Sequence, residues 1–153
     1  MMLAIDSQII AFLPEANIVY DIISFSVYIL LFGAIAFFIY KKNIFKTFQI
    51  TAGALTAFLA VQIIKIIVSR ERPNGLDLHS FPSQHTAFAF CLAYILPVNK
   101  IEERIVLYVW AILVSFSRLV LLEHWFTDVL VGAVIGLAAG YLVKSKLAKG
   151  ILS

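Results

Sequence analysis

The sequence predicts an all-α fold: a polytopic membrane helix bundle of about five transmembrane helices, with a further interfacial helix at the N-terminus. Hydrophobic residues make up 62% of the 153 residues and charged residues only 14%, whereas soluble domains are about half apolar and about a quarter charged. The apolar residues form runs close to the roughly 20 residues that cross a bilayer. No linker rich in Pro, Gly or Ser divides these runs, so residues 1–153 are predicted to form a single membrane-embedded domain.

The elements follow from the runs in chain order. Residues 1–16 lack a basic residue before their apolar positions, unlike a cleavable signal peptide, and are interpreted as an interfacial helix closed by Pro14. Five spans are predicted, at approximately residues 22–40, 47–68, 83–98, 105–122 and 127–143. The last span repeats a small-xxx-small spacing, which favours close helix packing over a flexible hinge. Its members are Gly132, Gly136 and Gly140.

Basic residues predict the orientation of the bundle. An alternating five-span path brings to one side the basic residues of two connections and of the C-terminal segment, namely Lys41, Lys42, Lys46, Lys100, Arg104, Lys144, Lys146 and Lys149. The positive-inside rule makes that side cytoplasmic. We therefore expect an integral protein of the cell membrane with a cytoplasmic C-terminus, whose partners are the bilayer and a membrane lipid rather than a nucleic acid.

The other side collects the remaining cations, all three histidines and one carboxylate, namely Lys65, Arg70, Arg72, Arg118, His79, His85, His124 and Asp128. Ionisable residues at membrane depth are costly and usually functional. Taken singly, a lysine could snorkel, Arg118 could pair with Glu123, and Arg70 and His79 are interpreted as solvated loop residues. Their joint placement at helix ends on one side nevertheless favours a functional site, which is expected on the extracytoplasmic face.

Two clusters on this face depend on helical spacing. Lys65 and Arg72 are seven residues apart, nearly two turns, so they are predicted to point the same way before Pro73 stops the helix. His124 and Asp128 are four apart and would share a helix face. A carboxylate bonded to one imidazole nitrogen leaves the other nitrogen free to react.

A third cluster lies at the start of the third span. Pro82 followed by Ser83 predicts a helix start with Ser83 as the N-cap. The backbone N–H groups of Gln84, His85 and Thr86 then lie at the positive end of the helix, where anions bind.

Together these residues suit a phosphoryl group. Cations and backbone donors provide the positioning and charge neutralisation that phosphoryl transfer requires, and histidine can take the group covalently. The histidines and Asp128 show no HExxH-type metal spacing, and neighbouring cations would repel a divalent ion. Neither a metal nor another cofactor is therefore expected.

The three clusters resemble the signature of the type 2 phosphatidic acid phosphatase superfamily: Lys-x6-Arg-Pro, Pro-Ser-Gly-His and Ser-Arg-x5-His-x3-Asp. The first motif is complete between Lys65 and Pro73, and the third between Ser117 and Asp128. The second has Gln84 where the family most often has glycine. The resemblance runs from the second span to the fifth, which is most of the chain.

The resemblance implies a role for each matched residue. His124 is similar to the nucleophile that forms a phosphohistidine, Asp128 to the carboxylate that orients it, and His85 to the acid that protonates the leaving group. The implied phosphate-binding residues are Lys65, Arg72, Ser83, Gln84 and Arg118. Gln84 keeps its backbone N–H, so its presence puts substrate choice in question more than catalysis.

The resemblance also implies the activity, that of a metal-independent lipid phosphatase acting on a phosphoric monoester or a diphosphate. Small members with an outward-facing site resemble undecaprenyl-diphosphate phosphatases, so an undecaprenyl or polyprenyl diphosphate is the preferred substrate. Phosphatidate, phosphatidylglycerol phosphate and lipid A phosphates are alternatives. A lipid phosphotransferase using the same residues and a non-catalytic anion-binding or transport protein are the competing hypotheses.

One stretch requires a break in the helix. Arg118 and His124 are six residues apart, so a continuous helix would place them about 120° from each other. The fourth helix is therefore predicted to end at residues 121–123, with Glu123 facing water.

Overall fold

The computed structural model describes residues 4–151, and this part of the chain is a helical bundle without strands. Its helices are α1 (Ala4–Ile10), α2 (Ile18–Tyr40), α3 (Ile44–Val68), α4 (Gln84–Ile95), α5 (Ile101–Val120) and α6 (Phe126–Ile151). The predicted all-α class is thus confirmed. α1 occupies the segment interpreted as an interfacial helix. The side chain of Lys149, assigned to the basic side, lies outside the described side chains.

Three helices in the described range are long and apolar enough to cross a membrane: α2, α3 and residues Phe126–Lys146 of α6. The predicted count of five is therefore approximate. α4 has only 12 residues, about 18 Å of helix, and most of them are buried among the other helices. α5 has 20 residues, but its two ends carry charged side chains.

Two helix boundaries differ from the prediction. α3 ends at Val68, because Ser69 adopts a left-handed conformation with φ of +43°. Arg72 is therefore in a loop, and the prediction that it shares a helix face with Lys65 is wrong. Loop hydrogen bonds replace the helical ones here: Arg72 N–H donates to the Asp77 carbonyl at 2.9 Å. At the other end of the chain α6 continues to Ile151 rather than stopping near residue 143, since the residues that follow are mostly good helix formers.

The centre of the bundle is the contact between α4 and α6. A Cβ added at Gly132 would lie 2.5 Å from the Ser83 carbonyl oxygen. A Cβ at Gly136 would lie 3.0 Å from the Ala87 carbonyl carbon. These glycines let the two backbones touch, which confirms the predicted packing role. The contact also brings the start of α6 against the start of α4.

Replacing Gly136 with alanine is expected to destabilise the bundle. The new methyl group meets backbone atoms of α4 that cannot rotate away, and overpacking of this kind costs about 1–3 kcal/mol. Thermal unfolding of the detergent-solubilised protein measures the effect as a lower Tm. Gly33→Ala is the matched control, because a Cβ at Gly33 meets nothing within 4 Å. Equal Tm values for the two variants would contradict the packing role.

The basic residues of separate connections meet at one end of the bundle. Arg104 donates to the carbonyl oxygens of Tyr94 and Leu96, each at 3.0 Å, at the C-terminal end of α4. The Lys144 ammonium lies 5.3 Å from the centre of the Tyr94 ring. Because α4 begins at the opposite end of the bundle, the residues around Ser83 lie far from this basic end.

Candidate active site

The polar end of the bundle brings together the C-terminal ends of α3 and α5 with the N-terminal ends of α4 and α6. Ser83 N–H donates to the Asp128 carbonyl at 3.0 Å, which joins the starts of α4 and α6. Asn74 N–H donates to the Leu122 carbonyl at 3.1 Å, which joins the α3–α4 loop to the α5–α6 loop. Lys65 reaches the same loop, where its ammonium donates to the His79 carbonyl. All eight predicted site residues lie in this region.

His124 and Asp128 form a buried pair. His124 is 2% exposed and Asp128 is fully buried. The His124 Nδ1 lies 3.6 Å from Asp128 Oδ2, just beyond hydrogen-bond distance, and it has no hydrogen-bond partner within the described part of the chain. His124 precedes α6, so the two residues do not share a helix as predicted. The loop places them together, and Asp128 Oδ2 accepts a 2.8 Å hydrogen bond from Trp125 N–H in that loop.

Burial lowers the pKa of His124 to about 4. The positive charges of Arg118 and Lys65 act in the same direction, whereas Asp128 opposes them. The imidazole is therefore neutral at pH 7, with a lone pair on one ring nitrogen.

Arg70 was interpreted as a solvated loop residue, and this interpretation is wrong. Its guanidinium is 11% exposed and donates to Asp128 Oδ1 at 2.7 Å, to Asp6 Oδ2 at 2.6 Å and to Thr127 Oγ1 at 2.6 Å. Asp6 is fully buried and also accepts from Thr127 N–H at 3.1 Å. Arg70 thus links α1 to the start of α6. The available sequence signal was Asp6 itself, the one charged residue of α1.

His79, the other residue interpreted as a solvated loop residue, has an exposed side chain. Its Nδ1 lies 2.6 Å from Asp77 Oδ1. The hydrogen bond with His79 lowers the pKa of Asp77, and nearby Arg72 lowers it further. The loop therefore carries a negative charge at its exposed edge.

Ser83 caps α4 as predicted, accepting from Thr86 N–H at 3.5 Å. The N–H groups of Gln84 and His85 have no carbonyl one turn earlier and remain available to an anion. The Gln84 side chain accepts a 2.7 Å hydrogen bond from Gln62, which holds it against α3. The His85 ring packs edge-on against Tyr28, with 5.0 Å between ring centres.

The break after Arg118 lies where it was predicted. α5 ends at Val120, and Leu122 reverses the chain with φ of +53°. Arg118 is held by Ser24 of α2, to which its Nη1 donates at 2.6 Å. The prediction that Glu123 faces water is wrong. Its side chain is only 30% exposed, and its Oε2 contacts Arg72 Nη1 and lies 3.4 Å from Arg118 Nη2. Two nearby guanidinium groups attract this carboxylate more strongly than solvent does.

Within the described residues, no group of three or more His, Cys, Asp or Glu side chains is arranged to hold a metal ion. The site instead combines arginines and a lysine with a neutral histidine beside a carboxylate. This combination can bind an oxyanion and present a nucleophile to it.

Comparisons with known proteins agree with this arrangement. The PAP2 superfamily model matches residues 45–150. Lipid A 1-phosphatase of Porphyromonas gingivalis is 35% identical over 82 residues, which is 51% of this chain and 18% of that protein. This chain thus spans less than a fifth of the length of that relative. The crystal structure of Aquifex aeolicus LpxE has the same fold, with a TM-score of 0.79 at 23% identity over 94% of this chain and 96% of that one. The chain belongs to the PAP2 superfamily, which confirms the resemblance seen in its three motifs.

Proposed function

We propose that the protein is an integral-membrane lipid phosphatase that works through a phosphohistidine and requires no metal. The observation that carries the proposal is the neutral, buried His124 beside Asp128, at the helix ends that also bear Lys65, Arg72 and Arg118. An anion-binding or transport protein would gain little from a carboxylate placed against the histidine. PAP2 membership and the printed name of the relative support the same reaction class.

The proposed reaction has two displacements. His124 attacks phosphorus through Nε2 while Asp128 holds the Nδ1 side of the ring. The P–O bond to the lipid breaks as the P–N bond forms, and His85 gives its proton to the leaving oxygen. Water then attacks phosphorus and transfers a proton to His85 while the P–N bond breaks. Inorganic phosphate is released and the neutral His124 imidazole is restored.

The phosphate would be held by the implied ligand residues, namely Lys65, Arg72, Ser83, Gln84 and Arg118. Ser83 and Gln84 would contribute through the start of α4, where hydroxyl and N–H groups meet the positive end of the helix. The cations would neutralise charge on the equatorial oxygens. The hydrogen bond from the Gln62 side chain engages only the side chain of Gln84, so the backbone N–H of Gln84 stays free to bind phosphate.

Two lipids are the preferred candidates for the substrate. Undecaprenyl diphosphate is favoured by the expected outward-facing site. A lipid A phosphate is favoured by the name of the relative. We further propose that residues 1–153 act as one domain, with the site on the extracytoplasmic face, because the basic side chains cluster at the opposite end.

Purified protein is expected to release free phosphate from at least one of four lipids in excess chelator: undecaprenyl diphosphate, a lipid A 1-phosphate, phosphatidate and phosphatidylglycerol phosphate. The assay omits any acceptor lipid and measures inorganic phosphate directly. Release that requires an added acceptor lipid would instead identify a phosphotransferase. Loss of activity in chelator would contradict the metal-free reaction, and binding without turnover of any lipid would support the non-catalytic hypothesis.

A further inference from the structure

Glu123 lies where a substrate anion would be expected. Its carboxylate is shared by Arg72 and Arg118, whose side chains are 19% and 9% exposed. Two largely buried guanidinium groups repel each other unless an anion lies between them. In this structure the protein supplies that anion itself.

The hydrogen bonding around this carboxylate is incomplete. Three buried side-chain nitrogens have no partner within the described residues: Arg72 Nε, Arg118 Nε and His124 Nδ1. His124 Nδ1 faces Asp128, whereas Arg72 Nε and Arg118 Nε belong to the two guanidinium groups that flank Glu123, and both can donate. A carboxylate presents two oxygens, whereas a phosphoryl group presents three and can take up donors that Glu123 leaves unpaired.

The position of Glu123 allows its side chain to move away from Arg72 and Arg118. It follows Leu122, where the chain reverses after α5, and its N–H donates to the Arg118 carbonyl at 3.2 Å. Its side chain is already partly exposed, so it can rotate into water without unpacking a helix. No such freedom exists for Asp128, which is fully buried.

We infer that Glu123 is a specificity-determining residue, whose carboxylate occupies the anion site between Arg72 and Arg118 until the substrate phosphoryl group displaces it. This inference rests on the proposed function. A phosphomonoester carries about two negative charges near neutral pH, so it outcompetes a carboxylate for the two arginines. A phosphodiester carries a single charge, equal to that of the group it would replace. Glu123 therefore excludes the phosphodiester headgroups that surround the protein in the bilayer.

Glu123→Gln tests this exchange, because it removes the charge and keeps the shape. In the 153-residue protein in neutral detergent, the variant is expected to bind inorganic phosphate about tenfold more tightly than wild type, by calorimetry. Phosphatidylglycerol, a phosphodiester, is expected to inhibit the variant at concentrations that leave wild type unaffected. Glu123→Ala carries the same expectations and serves if the glutamine variant does not fold.

Glu71→Gln is the matched control, since it removes one negative charge from an exposed position one residue before Arg72. It is expected to leave phosphate affinity and phosphatidylglycerol inhibition unchanged. Wild-type affinity in Glu123→Gln, or equal effects in the two variants, would overturn the inference while leaving lipid hydrolysis by wild type intact. Absence of both phosphate binding and lipid hydrolysis in wild type would overturn the proposed function and this inference together.

Discussion

Replacing His124 with alanine is expected to abolish lipid dephosphorylation, lowering kcat by a factor of at least about 10³. The proposed reaction forms a P–N bond to this side chain, and the described part of the site offers no second buried histidine beside a carboxylate. Lys65, Arg72 and Arg118 remain in the variant, so phosphate binding should persist. The expected result is therefore a loss of kcat with little change in the affinity for inorganic phosphate.

Covalent labelling distinguishes a nucleophile from a structural histidine. Wild type mixed with a lipid carrying radiolabelled phosphate and quenched in alkali should retain label on the protein, whereas His124→Ala should retain none. Asp128→Asn is the matched comparison, because it keeps the nucleophile but weakens its orientation, and label should form slowly. Normal turnover or normal labelling by His124→Ala would refute the phosphohistidine mechanism.

The pH profile supplies an independent test. Burial lowers the pKa of His124 to about 4, so the imidazole is protonated, and loses its lone pair, only below that pH. The acid limb of kcat/KM assigned to His124 should therefore lie near pH 4, with His124 still neutral at about pH 5.5, where an ordinary histidine would be mostly protonated. A His124 imidazole that titrates near pH 6.5 in substrate-free wild type, followed by NMR, would contradict the buried, neutral nucleophile.

Hydropathy and local spacing predicted much of this molecule, because they report properties carried by neighbouring residues. The apolar runs located α2, α3 and α6, and the six-residue interval from Arg118 to His124 required a break that occurs at Leu122. The alternation of spans also predicted that the three polar clusters would share one end of the bundle, as they do.

Most of the wrong predictions concern residues whose contacts join distant parts of the chain. Asp6 and Arg70 are 64 residues apart, and Ser24 and Arg118 are 94 apart. No periodicity links such pairs. The seven-residue spacing of Lys65 and Arg72 gave a wrong prediction, because the helix ends at Val68, where Ser69 turns left-handed, and Arg72 N–H then bonds to the Asp77 carbonyl in the loop. Glu123 was assigned to water since its two guanidinium partners come from separate segments.

Replacing Arg70 with glutamine is expected to lower kcat by about 10–100-fold, by analogy with residues that orient the ligands of metal sites. Arg70 contacts Asp128 Oδ1 at 2.7 Å, so it is a positioning residue that acts through Asp128. Its loss leaves two buried carboxylates, Asp6 and Asp128, without their shared cation. Breaking a buried ion pair costs about 3–5 kcal/mol, so the variant should also have a lower Tm.

Because a purely structural role would also lower Tm, the decisive reading is kcat at a temperature where both proteins are folded. Arg104→Gln provides the matched control, since Arg104 donates to backbone carbonyls at the opposite end of the bundle. Its Tm should fall while its kcat and KM stay unchanged. Arg70→Lys, which keeps the charge, should recover part of the kcat lost in Arg70→Gln. Equal kcat values for Arg70→Gln and wild type would show that Arg70 does not position Asp128 for the reaction.

Asp6→Asn then tests whether α1 contributes to the same network. Asp6 accepts from both Arg70 and the first turn of α6, so its charge holds the guanidinium against Asp128. The single variant should lower kcat less than Arg70→Gln, since Arg70 can still reach Asp128. Combined with Arg70→Gln it should add little, because the two changes interrupt one chain of contacts. Independent, additive losses would instead mean that α1 stabilises the bundle without positioning the carboxylate, and that Arg70 alone sets the geometry of His124 and Asp128.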